Sequence, residues 1–185
     1  TTVTDSRINN LTTVAMRNFS IHLLSTSNGI AINGFDLDGD DSASTRGVFA
    51  NAAHGISFSG GSIKDSEWGM ELQACEVSFD GAIESTTLGC FLFPGTGGAL
   101  TVLSGYYRNI GTTAVYGCTS TGQNNITVVY HNLITDTTEP SVVFDSTTTD
   151  TNQNRYITIK SDQAKYETDG ASLSGEDGGT DYSVF

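Results

Sequence analysis

In 185 residues the chain carries 21 Asp and Glu against 8 Lys and Arg, a net charge of −13. That balance argues against a nucleic-acid partner, because phosphate binding needs clustered Lys and Arg. No apolar run approaches the roughly 18 residues of a membrane-crossing helix, so no membrane insertion is expected; the length suits a single domain.

Residues 1 to 16 are polar, with scattered Val3, Ile8, Leu11 and Val14, and read as a lead-in or an incomplete first coil. From residue 17 to 160 a three-part pattern recurs, best seen in ISFSGGSIKDSEWGMEL (56 to 72) and VSFDGAIESTTLGCFL (77 to 92). In the first copy Ile56 and Phe58 flank Ser57, Ile63 follows a Gly-Gly-Ser, and Met70 and Leu72 flank Glu71. In the second, Val77 and Phe79 flank Ser78, Ile83 follows Asp80-Gly81, and Cys90 and Leu92 flank Phe91. Each apolar pair alternates with a central residue, the mark of a short strand with one buried face. The glycines between pairs read as corners. Further copies start at Phe35, Leu100 and Ile126, with weaker ones at Phe19 and Tyr156, and Asp38-Gly39 aligns with Asp80-Gly81. The spacing drifts from about 16 to 30 residues, with the best copies near about 21.

A period of that size with three strands per turn predicts an all-β fold, a right-handed parallel β-helix (a solenoid) of about seven short coils. Phe19, Phe35, Ile56, Val77, Leu100 and Ile126 should then stack in one internal column. An antiparallel β-sandwich, also built of short strands and Gly-rich turns, is the alternative. Residues 161 to 185 are acidic and Gly-rich, with few apolar residues before Tyr182, Val184 and Phe185; they read as a disordered tail or a docking arm.

Strand alternation also assigns the outer faces. One outward column contains Asp36, Ser57, Ser78, Thr101, Thr127 and Thr158, a hydroxyl-rich row that suits water or sugar hydroxyls; Ser57, Ser78, Thr101 and Thr127 are its candidate glycan-binding residues. The other contains Phe49, Phe91, Val115 and Val143, an apolar stripe that would mark an interface between chains. For catalysis the candidates are carboxylate pairs, since glycoside cleavage needs an acid with a base or nucleophile. Asp65 and Glu84 would come close on adjacent rungs; Asp36 with Asp38 and Glu67 with Glu71 are the other pairs. Against this, Lys64, Glu84 and Arg108 fall at equivalent places and read as a surface charge ladder. Asp36, Asp38, Asp40 and Asp41 offer the alternating carboxylates that a calcium ion takes, with a solvated acidic loop as the competing reading. His22, His54 and His131 read as turn or surface residues, and Cys90 as a small core residue. With Cys75 and Cys118 it makes an odd number and no metal-binding spacing.

The rung pattern, apolar-Ser/Thr-apolar, Gly, Ile, Gly-apolar-x-apolar over residues 19 to 160, resembles the right-handed parallel β-helices of the pectate-lyase-like group. That resemblance covers polysaccharide lyases and hydrolases as well as the tailspikes and fibres of tailed phages. It implies a virion or extracellular protein, of the tailspike kind a homotrimer or larger assembly that attaches to host surface polysaccharide. The sequence carries no Arg-rich catalytic strand, so lyase chemistry is not expected. Three functions follow: a non-enzymatic virion or surface structural protein, a polysaccharide-degrading enzyme, or a prokaryotic extracellular structural or adhesion protein.

Overall fold

The computed structural model describes residues 3–40, 44–94 and 98–110, with side chains for most of them, and beyond 110 the backbone of seven more strands. The described elements are strands throughout. β1 (Val3–Met16), β2 (Phe19–Leu23), β3 (Ser27–Gly39), β4 (Arg46–Asn51), β5 (Ile56–Gln73), β6 (Glu76–Phe93) and β7 (Gly98–Ile110) come first. β8 (Ala114–Cys118), β9 (Asn124–Val128), β10 (Asn132–Leu133), β11 (Val142–Asp145), β12 (Arg155–Ile159), β13 (Tyr166–Asp169) and β14 (Thr180–Val184) follow.

Every pairing between these strands is parallel, and successive strands along the ladder are successive turns of the chain: β1, β3, β5, β6, β7, β9, β12, β14. This is an all-β parallel solenoid, about four turns of it among the residues described with side chains, and the parallel pairing excludes the antiparallel sandwich. β1 is itself a rung, matched to β3 from Val3↔Ser27 to Met16↔Gly39. Within residues 161 to 185, β13 pairs with β11 and β14 with β12.

The long strands bend around corners, so each rung contributes to three faces. On the first face Ile56, Val77, Leu100 and Ile126 are register partners, as the repeat predicted. Ile32, Phe58, Phe79 and Val102 run beside them, all buried. The second face turns Leu37, Ile63, Ile83 and Tyr107 inward, and the third Val48 with Ala50, Met70 with Leu72, and Phe91 with Phe93. At about 1.5–3 kcal/mol for each large apolar side chain fully buried, this column of side chains is the main drive for coiling. Edge-to-face ring contacts fasten neighbouring rungs, Phe35–Phe58 at 5.5 Å and Phe91–Tyr107 at 5.8 Å between centroids, and Phe79–Phe91 at 5.5 Å joins two faces of the same rung.

The corners are columns of left-handed backbone. Asn10, Gly34 and Gly60 have φ of 56°, 64° and 67°; Asp65 and Ser85 have 53° and 52°; Ala52 and Ala74 have 53° and 46°. One residue at positive φ redirects the strand, and Gly or Asn does so at the lowest cost. Gly34 answers to packing too, since a Cβ there would lie 2.8 Å from Asn10 Oδ1.

Two features of the predicted register are corrected. Phe35 and Phe19 are not on the internal column of Ile56. Phe35 follows Ile32 on the same strand and sits at the corner, against the backbone of Gly61, whereas Phe19 pairs with Arg46 on the β2–β4 edge. The motif Phe-Asp-Leu has the same alternation as Ile-Ser-Phe, and alternation alone does not say which face a strand belongs to. For the same reason Asp38-Gly39 does not align with Asp80-Gly81: Asp38 pairs with Lys64 and Gly81 with Gly61.

The second correction concerns Phe91. It is fully buried (0% exposed), not outward. Ser66 pairs with Thr86 but Trp68 pairs with Gly89, so β6 carries one extra residue before the third face. A one-residue slip exchanges the two faces of a strand. Phe91 and Phe93 therefore enter the core, and Leu92 takes the outer position opposite Glu71.

Candidate functional site

The outer surface of the first face carries a row set by register, Ala31, Ser57, Ser78 and Thr101, one residue per rung, and the backbone register continues it to positions 127 and 158. Asp36 does not belong to it, because Asp36 pairs with Ser62 on the second face. The rung spacing of about 4.8 Å is the spacing of the parallel ladder. Beside the hydroxyl row runs a second outward row, Gly55, Glu76 and Ala99, two places earlier on each strand. Between the rows lies an open groove of about 410 Å³. Ser57, Ser78 and Thr101 line it, with Gly55 and Ala99 as low points in its floor and Glu76 between them. Ser57 and Ser78 are half-buried, and their hydroxyls form no hydrogen bond among the described residues. They point into the groove with donor and acceptor capacity unused. The side chain of Thr127 lies outside the described residues.

A neighbouring polar row is, by contrast, occupied internally. Asn33 Nδ2 donates to Asn9 Oδ1 (3.1 Å), and Ser59 Oγ donates to Asn33 Oδ1 (2.7 Å). That ladder seals the corner between the first and second faces.

The candidate catalytic carboxylates are engaged elsewhere. Lys64 Nζ lies 3.7 Å from Asp36 Oδ1 and 3.6 Å from Asp38 Oδ2, and these carboxylates, Asp36 foremost, push its pKa up. Asp38, Lys64, Glu84 and Arg108 are register partners in one column, the alternating charge ladder anticipated from their spacing. Asp65 and Glu84 stand one position apart on adjacent rungs, Asp65 on the left-handed corner and Glu84 in the ladder, and neither is free of other interactions. Glu67 and Glu71 converge on one cation: Arg46 donates to Glu67 from a guanidinium nitrogen and to Glu71 from Nε at 2.8 Å. The Ser44 backbone N–H adds a bond to Glu67 (2.6 Å), and Gln73 adds one to Glu71 (2.7 Å). Carboxylates held as acceptors in this way serve as ties between rungs, poorly suited to donate or abstract a substrate proton.

Among the described residues Asp36, Asp38 and Asp40 are not gathered for a cation. Asp36 and Asp38 face out on the second face against Lys64. Asp40 lies beyond buried Gly39, accepting from Arg17 Nε (3.2 Å) and Thr45 Oγ1 (3.0 Å). Asp41 is outside the described residues. Among the described residues no group of three His, Cys, Asp or Glu side chains could hold a metal ion.

The expected apolar stripe is not one column. Phe49 pairs with Glu71, Glu71 with Leu92, Leu92 with Gly117 and Gly117 with Val143, so Phe49 and Val143 share a row that Phe91 and Val115 do not. The side chains of Val115 and Val143 lie outside the described residues. What sequence reading missed is a cluster on the third face. Phe19, His22 and Phe49 pack as a triangle, with ring centroids 5.0, 5.0 and 4.9 Å apart, and His22 is exposed at its edge. His22 and Phe49 are register partners, a signal available only once β2 is matched to β4. Glu76 was missed as well, though it stands two residues before Ser78 just as Gly55 stands two before Ser57. His54, also exposed, has Nδ1 3.9 Å from Glu76 Oε2.

Cys75 and Cys90 are buried free thiols. Burial pushes the Cys75 thiol up to about 12 and that of Cys90 well above its ordinary value, so both are inert core groups.

No protein-family model, curated protein or solved structure matches this chain.

Proposed function

We propose that the chain is a non-enzymatic structural protein of a virion or cell surface, a right-handed β-helical spike or fibre segment of the pectate-lyase-like kind, that touches surface polysaccharide through its first-face groove. The observation that carries this reading is the groove itself, with unused Ser57 and Ser78 hydroxyls repeated at rung spacing on a rigid ladder. Hydroxyls fixed on strands need no ordering when they bind, which lowers the entropic cost of association. The tying of Asp36, Asp38, Glu67 and Glu71 into ion pairs supports a binding role over glycan hydrolysis.

The working form is a side-by-side homotrimer, with the half-buried Phe19 and Phe49 and the exposed His22 supplying an apolar contact on the third face. Closed threefold symmetry would cover that patch on every copy. The test has two parts. Surface glycans passed over the immobilised chain should be retained without release of new reducing ends, and Ser57→Trp with Ser78→Trp should abolish retention. Light scattering should give three chains for the native protein and one for Phe49→Asp. Release of reducing ends would overturn the non-enzymatic reading, and a monomeric native chain would overturn the trimer.

A further inference from the structure

Resting on that reading, we infer that the ligand of the first-face groove is an uncharged polysaccharide lying along the solenoid axis, its sugar units crossing one rung after another. Direction follows from the shape of the face. Along a strand, the first face of β5 is bounded by the left-handed corners at Gly55 and Gly60, and half of the residues between them point into the core. A polymer laid that way would leave the face after a few residues. Along the axis Ser57, Ser78 and Thr101 follow one another on successive rungs, and the parallel ladder itself runs on through β9, β12 and β14.

Charge sets the class. Glu76 is the one charged residue among the described residues that line the groove, and it is acidic on a chain of net charge −13. A uronate or sialate passing over Gly55 and Ala99 would bring its carboxylate close to that of Glu76, with no lysine or arginine among the described lining residues to offset it. An uncharged sugar can instead donate a hydroxyl proton to Glu76 and exchange hydrogen bonds with Ser57 and Ser78. The low floor at Gly55 and Ala99 leaves room for the ring on either side of Glu76.

The experiment is a glycan array carrying neutral and carboxylated oligosaccharides of two to six units, probed with the full chain. Neutral members should be retained about tenfold or more better than carboxylated ones of equal length. Their retention should rise with length beyond the disaccharide, since a longer chain meets more rungs. Ala99→Trp fills the floor and should lower neutral binding about tenfold or more while the β-sheet signal in circular dichroism is kept; Thr101→Tyr, outward on the same rung, serves if Ala99→Trp does not fold. Glu76→Gln should narrow the gap between neutral and carboxylated members. Equal or stronger retention of carboxylated sugars, or no gain beyond two units, overturns this inference and leaves glycan contact standing. Retention of nothing overturns both.

Discussion

The first and third faces are built from the same kind of apolar pair, yet alternation describes them unequally well. On the first face β5, β6, β7 and β9 stay in phase, so Ser57, Ser78 and Thr101 point outward as their spacing predicts. On the third face one extra residue in β6 turns Phe91 inward. A strand pattern is reliable only downstream of corners with equal residue counts; a bulge exchanges the inside and outside of the face that follows it. The comparison also separates their chemistry. The first face leaves hydroxyls unused, whereas the third spends its polar groups on the Arg46–Glu67–Glu71 tie.

The strongest way to break this comparison is to charge Phe91. Phe91→Asp places an unpaired carboxylate in the core between Phe79 and Tyr107 and should prevent folding, with loss of the β signal in circular dichroism. Phe49→Asp, the supposed equivalent, should fold. If the two behave alike, the assigned slip in β6 is wrong. Next in size, Phe58→Ala and Phe79→Ala should each cost about 3–5 kcal/mol in denaturant unfolding, because each leaves a cavity where the native ring is 1% or less exposed.

The pH dependence comes third. Cys75 has a folded value of about 12 against an ordinary 9.0, and Cys90 shifts the same way. A raised folded value means the folded chain holds the proton more tightly. The contribution is fully present below pH 9.0 and is lost as pH climbs toward about 12. Stability should therefore fall across that window, with thiol reactivity toward a disulfide reagent appearing only as the β signal is lost; full labelling at pH 8 in the folded state would contradict the buried placement.

Smaller effects sharpen the picture. Thr86 Oγ1 and Ser66 Oγ are buried without hydrogen-bond partners on the corner where the slip begins. Thr86→Val should raise stability by about 1 kcal/mol, since it removes an unmet polar group while keeping the shape. Smallest of all, Ser57→Ala and Ser78→Ala should change stability by less than about 0.5 kcal/mol. A larger loss would mean that these hydroxyls hold the fold together and are not free for a ligand.

By itself the sequence determined the parallel coiling, the internal column from Ile56 to Ile126, the hydroxyl row of Ser57, Ser78 and Thr101, and the charge ladder of Lys64, Glu84 and Arg108. Each is a local pattern repeated at near-constant spacing, and repetition aligns like with like without long-range information. Only the tertiary structure decided the places of Phe19, Phe35 and Phe91, the fate of the carboxylates, and the gathering of Phe19, His22 and Phe49. Those depend on how many residues each corner consumes. A corner is set by one left-handed residue, and here Asn, Asp, Ser and Ala fill that role as well as Gly. Nothing in composition marks which of them turns the chain, so the register beyond each corner emerges only when the rungs stack.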